Sequence, residues 1–429
     1  MMTRVLRTAV LAVLGVAAAV APVSAAGFGI FEQGTRAMGM AGAFTAQADD
    51  PSALWHNAGG LAFFDETDFA AGFTYIMSSE ADFQGADPFP GTSASAEQEP
   101  LSEFIPHAYW MQPINDQWKF GLGVYAPFGL TTEWKDPETF PGRYISTLAS
   151  LRAIDLNPTI GWKVTDRFGL GFGVVARFSD VELNRFVPFQ NPFTGGILDA
   201  GTVELTSDFE PGYGFNLGLL HRYNESFSWG LSYRSKIKVE YGGTARFTQI
   251  STGIPPLDAA IARVIPFNQD LGVDTEIEFP DMASLGFMVA LSANTRLEAD
   301  INWTGWSSFD ELPIIFTDVP PLSSTIPENW DDAMNYRLGL RWMSAGGSEW
   351  RFGYVFDETP QPDEAVSPLL PDADRNGFTI GWGTQFTKTS LDVAAMYLPF
   401  DERSTSTNTN GFNGTYNTTA WLFGITLGF

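Results

Sequence analysis

Apolar and polar residues alternate with a period of two along most of the chain. In the last ten residues, large apolar side chains occupy every second position: Trp421, Phe423, Ile425, Leu427 and Phe429. Small or polar residues fill most of the positions between them, so this stretch predicts a β-strand with two different faces. Such a strand either covers the core of a soluble sandwich or faces lipid in a membrane barrel.

The same alternation recurs throughout the chain and distinguishes the two architectures. Its clearest example runs from Phe168 to Phe178, where large apolar residues alternate with glycines. Further stretches of this kind are 69–75, 120–124, 215–219, 227–233, 285–291, 297–303, 338–342, 350–356, 378–382 and 391–397. The faces opposite the aromatic ones are rich in glycine and carry few charges, which is typical of a barrel lumen. The pattern predicts an all-β transmembrane antiparallel barrel.

The connections between these strands support a barrel. Short connections lie near 113–116, 164–166, 223–226, 292–294, 345–348 and 387–389, and long ones near 78–102, 128–150, 186–202, 248–273, 307–333, 358–375 and 401–418. Short and long connections alternate strictly, as expected when one rim has tight turns and the other has long loops. Counting the strands, including two weaker ones near 104–111 and 203–221, gives about fourteen. An even number places both termini on the periplasmic side.

The amino-terminal region does not alternate and divides into two parts. Residues 1–25 resemble a signal peptide, with Arg4 and Arg7 before an apolar run that is too short to span a bilayer as a helix. Residues 26–66 are rich in glycine and too apolar for a solvated tail. We expect them to fill the lumen as a plug, with residues 67–429 forming the barrel around it.

Composition excludes several functional classes. The chain of 429 residues has a net charge of −26, which argues against nucleic acid as a partner. It has no cysteine and three histidines without ligand spacing, so neither a metal nor another cofactor is expected. No Gly-x-Ser-x-Gly elbow and no evident Ser–His pair are present, so no catalytic residue is predicted and an outer-membrane lipase is not favoured.

Ten segments spread along the chain carry a resemblance to known proteins: 26–28, 49–61, 114–118, 128–134, 155–158, 233–236, 304–309, 353–360, 371–375 and 420–424. Taken in order, they resemble the FadL family of outer-membrane long-chain fatty acid transporters, which includes channels for aromatic hydrocarbons. The resemblance implies a fourteen-stranded barrel whose lumen holds an amino-terminal hatch. Its hatch motif corresponds to Asn57, Ala58 and Gly59, with Ala58 at the position where the family usually has proline.

The resemblance also implies a route for the ligand. In that family, ligand is taken up at the extracellular loops, passes the hatch region and leaves sideways through a gap at a kink in the third strand. Here the third strand contains Tyr125, Pro127, Phe128 and Gly129, and Pro106 lies on the neighbouring strand. Because proline cannot donate to a ladder and glycine weakens a strand, we expect pairing to fail there as a lateral gate. The alternative is a strand that simply ends at its loop.

Two sets of residues are candidates for contact with ligand. The first set consists of apolar side chains of the hatch: Phe28, Phe31, Met38, Phe44 and Leu61. The second set consists of arginines expected to point inward, because guanidinium groups match carboxylates: Arg177, Arg337 and Arg341. The alternative for the arginines is ion pairing in the lumen with acids such as Glu298, Asp300 and Asp357, which would join plug and wall.

We therefore expect an outer-membrane channel for passive uptake of hydrophobic small molecules, either long-chain fatty acids or related hydrocarbons. Its surroundings would be outer-membrane lipid and lipopolysaccharide, and it would be a monomer and not an enzyme. A monoaromatic-selective channel of the same family and an open polar porin or structural barrel remain as alternatives.

Overall fold

The computed structural model describes residues 27–79 and 81–429, so the predicted signal peptide lies outside the described residues. The strands are β1 Asp68–Ser78, β2 Asp82–Gly85, β3 Ser95–Glu97, β4 Ser102–Pro113, β5 Trp118–Glu133, β6 Leu148–Thr165, β7 Phe168–Gln190, β8 Ile197–Ser207, β9 Glu210–Asn224, β10 Phe227–Arg234, β11 Ile237–Gln249, β12 Asp270–Phe279, β13 Met282–Ser292, β14 Thr295–Thr304, β15 Glu311–Phe316, β16 Ser324–Pro327, β17 Ala333–Met343, β18 Glu349–Asp357, β19 Arg375–Gln385, β20 Ser390–Pro399, β21 Arg403–Thr405, β22 Gly414–Asn417 and β23 Thr419–Gly428.

These strands close into one antiparallel barrel, because β23 pairs with β1 along nine residues. Three of the barrel strands are interrupted and consist of two successive segments each: β8 with β9, β10 with β11, and β12 with β13. With these counted once, and with the short strands β15 and β16 of the long loop between β14 and β17 left out, the barrel has fourteen strands, as predicted. The strand expected near 203–221 is the interrupted pair of β8 and β9, which begins earlier than predicted, at Ile197.

The helices are short. They are α1 Thr35–Met38, α2 Ala53–His56 and α3 Pro255–Ile261, together with 3₁₀ turns at Ala58–Phe63, Trp306–Ser308 and Pro320–Leu322. Among the described residues, no helix is long and apolar enough to cross a membrane.

The alternating faces of β7 show why the sequence has this pattern. Phe172 and Val174 point outward and are about half exposed, at 50% and 47%, in the protein without lipid. Gly169 and Gly171 point inward against the segment 58–63, and a side chain at Gly171 would collide with the carbonyl of Ala58. Glycine on the inner face therefore makes room for a packed plug.

Residues 27–66, here called the hatch, fill the lumen. Ala37, Met40 and Phe44 form a small apolar core of their own, all essentially unexposed. Elsewhere the hatch packs on the barrel, and Leu54 and Leu61 lie against Gly121 and the strands around it.

The rim with the long loops, here called the long-loop end, carries a folded cap. A small sheet in the order β21-β22-β2-β3 joins the first and last long loops. A buried cluster packs beneath it, consisting of Phe83, Trp134, Phe140, Val366, Phe412 and Tyr416. The opposite rim, with the tight turns, is called the short-turn end. In outer-membrane barrels, short turns face the periplasm and long loops face the exterior.

Candidate functional site

The third strand of the barrel, β5, separates from the neighbouring strand β4 partway along its length. The ladder between them runs from Pro113–Lys119 to His107–Tyr125 and has no further pair among these described strands. Beyond that point, β4 stays paired with β1 as far as Ser102. The two segments pair again only beyond this interval, where the amide of Glu99 donates to the carbonyl of Glu133 at 2.8 Å and the amide of Lys135 donates to the carbonyl of Glu97 at 3.0 Å. We call this interval, residues 100–106 and 126–132, the window.

The window lies where Pro127 and Gly129 predicted a defect in pairing. The alternative prediction, that the third strand simply ends there, is wrong. β5 shifts its register on β6 between Tyr125 and Phe128 and then continues as a strand to Glu133. The predicted long loop at 128–150 is therefore shorter than expected, because residues 128–133 and 148–150 belong to strands. Pro127 has no amide to donate, so one ladder bond is lost at the shift.

Within the window, the hatch supplies backbone hydrogen bonds to β5 in place of those that β4 does not make. Its residue Ile30 donates its amide to the carbonyl of Pro127 at 2.8 Å, and Gly129 donates to the carbonyl of Phe28 at 2.9 Å. Residues 28–30 therefore form an antiparallel bridge with β5. The Gln33 side chain adds a donor to the carbonyl of Ala126. Because unpaired backbone groups at membrane depth are costly, this short hatch strand stabilises the break.

Phe28, one of the predicted ligand contacts, lies at the centre of an aromatic cluster. The members of this cluster are Phe28, Phe128, Phe279, Trp306, Phe309 and Trp330. The ring centroid of Phe28 lies 4.6 Å from that of Trp306 and 5.2 Å from that of Phe309, both edge to face. Phe28 is 1% exposed. The cluster joins the hatch, the kinked strand and the long loop 305–332 at one point.

Sequence reasoning missed four members of the cluster: Phe279, Trp306, Phe309 and Trp330. The available signal was a concentration of aromatic residues in a loop that is otherwise acidic. Trp306 and Phe309 lie in a segment that carried the family resemblance, but a resemblance to a motif does not tell which hatch residue it packs against. Phe279 ends β12 and turns inward beside Arg177.

The other predicted hatch contacts are dispersed. Phe31 is half-buried and its ring lies 4.8 Å from the guanidinium carbon of Arg337. Met38 packs against β23 near Gly424, and Phe44 lies inside the hatch core. Leu61 packs on Gly121 and Gly161 toward the short-turn end. Only Phe28 belongs to the aromatic cluster, and Phe31 lies at its edge.

Two of the three predicted arginines are paired with acids. Arg177 makes a two-pronged contact with Asp155, with both N–O distances at 2.8 Å, and its guanidinium lies over the rings of Phe128 and Phe279. Arg341 bonds to Asp49 at 2.7 Å and to Glu349 at 2.6 Å. Their charges are therefore already compensated.

Of the three acids expected to pair with arginine, Asp357 does so, whereas Glu298 and Asp300 accept backbone amides of the hatch. Asp357 bonds to Arg375 at 2.6 Å. Asp300 instead accepts the backbone amides of Phe44 and Thr45, each at 3.0 Å, and Glu298 accepts the amide of Ala46. Plug and wall are joined as expected, but the wall carboxylates hold hatch backbone because the turn at 44–46 presents free N–H groups to them.

The hatch motif is held by its asparagine. Asn57 is fully buried, donates to the carbonyls of Thr45 and Leu219, and accepts the amide of Gly59 at 2.9 Å. It thereby caps the 3₁₀ turn that begins at Ala58. Ala58 occupies the first position of that turn, where proline is well tolerated. The hydrogen bond from Gly59 to the Asn57 side chain therefore fixes the start of this turn although Ala58 is not a proline.

Tyr125, one of the residues predicted to form a lateral gate, lies at the edge of the window and is fully buried. Its hydroxyl donates to Asn157 and accepts a hydrogen bond from Arg234, and its ring lies 5.2 Å from that of Trp55 in the hatch. Tyr125 therefore connects the last β4–β5 pair to the hatch.

Two acids beside the window are buried in the long loops. Glu328 is 2% exposed, and burial raises its pKa to about 8, against the weaker opposing effect of a hydrogen bond from Trp330 Nε1 at 3.1 Å. Burial likewise raises the pKa of Asp372, which accepts the amide of Gly27 at 3.0 Å and the hydroxyl of Thr359. The start of the hatch is thus held by loops as well as by β5.

Comparison with known proteins agrees with this architecture. The sequence profile of the family described as outer membrane protein transport protein (OMPP1/FadL/TodX) matches residues 16–429. A long-chain fatty acid transport protein of Salmonella typhi is 27% identical over 397 residues, which cover 88% of each chain.

Solved structures show the same fold. The crystal structure of a Pseudomonas aeruginosa FadL homologue has a TM-score of 0.81 at 20% identity and covers 96% of this chain and 99% of its own. The Ralstonia pickettii toluene transporter TbuX has a TM-score of 0.65 at 16% identity and covers 92% of this chain and 99% of its own. At these identities the likeness concerns the barrel and its plug.

Proposed function

The chain belongs to the outer membrane protein transport protein family (OMPP1/FadL/TodX), and from this premise we propose that it takes up long-chain fatty acids and releases them sideways through the window. It is an outer-membrane β-barrel protein of a family that transports hydrophobic molecules. The single observation that carries the proposal is the bridge between residues 28–30 and β5, by which a short hatch segment, and not β4, covers a break in the wall.

The aromatic cluster is the pocket in this proposal. Its members belong to a continuous apolar region that also includes Tyr241, Ile277, Leu312, Leu369 and Leu370. An acyl chain that enters from the long loops takes over contacts now made by Phe28. The hatch strand then leaves β5, and the ligand follows the vacated window into lipid. Entry of the ligand into the long loops and then into the pocket is favoured by burial of apolar surface, and the concentration gradient supplies the direction.

Magnitudes favour a long acyl chain over a single aromatic ring as the displacing group. Burial of a Phe side chain is worth about 1.5–3 kcal/mol, and burial of each methylene about 0.8 kcal/mol. About four methylenes therefore offset the loss of Phe28 from the cluster, and a longer chain has a surplus for moving the strand. Toluene only replaces one ring with another. The name of the Salmonella typhi relative, a long-chain fatty acid transport protein, agrees with this choice.

The test is uptake of radiolabelled palmitate and toluene by cells that express the protein, against cells that lack it. A Pro127→Val, Gly129→Thr variant supplies β-branched residues to the kink. We expect wild type to take up palmitate and the variant to lose most of that uptake at equal insertion. Uptake of toluene alone would move the assignment to a monoaromatic channel.

Conductance in a planar bilayer separates this function from that of a porin. A barrel filled by its hatch passes few ions, whereas an open polar channel conducts steadily. Steady conductance by wild type without uptake of either ligand would overturn the proposal. Equal uptake by wild type and variant would retain the transport function and remove the window from its route.

A further inference from the structure

A cavity of about 750 Å³ lies between the cap and the barrel wall, at the long-loop end of the window. One side is formed by Leu101, Thr131 and Thr132, which belong to the window. The cap strands β21 and β22 and the long-loop residues 371–373 form the other sides. A cavity of this size has room for one small ligand with a single hydrocarbon chain.

Four polar side-chain atoms of the residues that line this cavity are buried and have no hydrogen-bond partner among the described residues. They are Gln98 Nε2, Thr131 Oγ1, Arg403 Nε and Tyr416 Oη. Tyr416 is 7% exposed, and burial raises the pKa of its hydroxyl, so the hydroxyl keeps its proton and can donate. Buried polar groups are ordinarily hydrogen-bonded, because removing them from water without a replacement partner is costly. Four such atoms around one cavity therefore favour a polar ligand in it.

The charges around the cavity disfavour an anionic head group. Among the described residues, three acids line it, Glu99, Asp372 and Asp401, against one arginine. That arginine, Arg403, already has an acid partner, since its Nη2 lies 2.8 Å from Asp363 Oδ1. A carboxylate placed here would therefore meet negative charge that is not compensated.

Hydroxyl groups match the four atoms without partners. The side-chain amide of Gln98 and the Nε–H of Arg403 are donors and need an acceptor, whereas the hydroxyls of Thr131 and Tyr416 can donate and accept. A metal ion or an ammonium group offers no acceptor to these donors. A neutral hydroxyl group offers both a donor and an acceptor, and it can also donate to the acids that line the cavity.

The cavity also has an apolar side. It is formed by Ile76, Leu101, Phe400 and Ala420, which pack in an apolar cluster separate from the one around Phe28. A hydrocarbon chain on this side loses contact with water, which favours its binding. The cavity therefore differs from the aromatic cluster both in its place in the barrel and in its chemistry.

We propose that this cavity binds the neutral, hydroxyl-bearing head of a single-chain amphiphile such as a monoacylglycerol. Gln98, Thr131, Arg403 and Tyr416 bind the hydroxyl groups of the head. The hydrocarbon chain lies on the apolar side, toward the window. The inference adds a second class of ligand and does not rest on the proposed function, in which a fatty acid occupies the aromatic cluster.

The test is binding of 1-monododecanoylglycerol and of methyl dodecanoate to the purified full chain in nanodiscs, measured by calorimetry with empty nanodiscs as the blank. The two probes share the acyl chain and the ester and differ in the hydroxyl groups of the head. Wild type is expected to prefer the glycerol ester. Tyr416→Phe and Thr131→Val keep the shape of each side chain, and each is expected to weaken binding of the glycerol ester about two- to tenfold, the effect of losing one hydrogen bond. Binding of methyl dodecanoate is expected to stay unchanged.

Thermal unfolding of the same variants separates ligand contact from support of the cap. Because neither hydroxyl has a partner among the described residues, its removal should leave the melting temperature unchanged or raise it. A fall in melting temperature together with loss of the preference would assign the hydroxyls to the fold of the cap and overturn the site. Tyr144→Phe is the control, because it removes a loop hydroxyl that donates to Asp199 at 2.6 Å and should keep the preference.

Two results of the binding measurement would overturn the inference directly. The first is equal binding of the two probes by wild type, and the second is an unchanged preference in the double variant Tyr416→Phe, Thr131→Val. Neither result bears on the uptake of palmitate, which tests the proposed function separately.

Discussion

The hatch is fastened at its two ends by different chemistry. At the long-loop end, Phe28 packs in the aromatic cluster and its strand makes two backbone hydrogen bonds to β5. At the short-turn end lies a network of charged residues that we call the polar anchor: Arg36 and Asp49 of the hatch, and Arg341, Glu349, Arg351 and Asp392 of the wall.

The polar anchor cannot be exchanged for an apolar ligand. Glu349 alone receives Arg36 at 3.2 Å, Arg341 at 2.6 Å and Arg351 at 2.5 Å, and it is 5% exposed. Separating such charges in a buried site leaves each unpaired, which is far more costly than losing one contact. Aromatic contacts, in contrast, are non-directional enough for an acyl chain to replace them. We therefore expect the hatch to stay fixed at the short-turn end and to move at the long-loop end when ligand binds.

The largest effect is expected from breaking the polar anchor. Glu349→Gln leaves three guanidinium groups without their shared carboxylate, at a cost of about 3–5 kcal/mol. We expect the hatch to loosen at the short-turn end and ion conductance in planar bilayers to rise. Unchanged conductance and unchanged thermal unfolding would show that the anchor does not hold the hatch.

A smaller, local effect is expected at the other end. Phe28→Leu removes edge-to-face contacts and some area, about 1–2 kcal/mol. Hydrogen exchange at residues 28–30 should accelerate while the barrel stays intact. Phe83→Leu is the matched control, because Phe83 is equally buried in the cap cluster and does not contact the hatch strand. The same acceleration in both variants would argue against a specific role for Phe28.

Alkaline pH should weaken the aromatic end selectively. The Glu328 carboxyl keeps its proton up to a pKa of about 8 when packed, against an ordinary value of 4.5 when released. The packed state therefore binds more protons between these values, so its stability falls as pH rises through that range and is fully present only below it. The protection factors of the amides at residues 28–30, which correct the exchange rate for its intrinsic rise with pH, should fall from pH 6 to 9 in wild type and stay flat in Glu328→Gln. A flat profile in wild type would contradict this coupling.

The smallest effect concerns the hatch motif. Ala58→Pro restores the residue usual in the family at the first position of a 3₁₀ turn, after an extended Asn57 with φ −161° and ψ 102°. Proline favours an extended preceding residue and restricts the unfolded chain, which is worth about 0.4–1 kcal/mol. A slight rise in melting temperature is expected. A large fall would mean that the ring does not fit beside Gly171.

Local patterns predicted the barrel because each strand carries its own evidence. The residues of β7 alternate, the connections alternate in length, and neither feature depends on distant contacts. The defect in β5 was predictable for the same reason, since Pro127 and Gly129 act within their own strand.

Long-range partners left no comparable trace in the sequence. The bridge of Gly29 with Phe128 joins residues about a hundred positions apart, and neither segment alternates there. The inward direction of Arg177, Arg337 and Arg341 followed from strand period, but their different partners depend on where hatch turns meet the wall. The role of Trp330 likewise depends on a loop folding back onto Phe28.

The central claim is that the hatch strand must leave β5 for transport. Gly29 and Phe128 are directly opposed between two backbone hydrogen bonds, a pairing in which the Cα atoms lie close enough for a disulfide. The chain has no cysteine, so Gly29→Cys with Phe128→Cys creates one defined cross-link. Palmitate uptake would be measured in the same preparation before and after reduction, since both states carry identical side chains. We predict uptake near background when oxidised and recovery when reduced; equally fast uptake in both states would contradict the account.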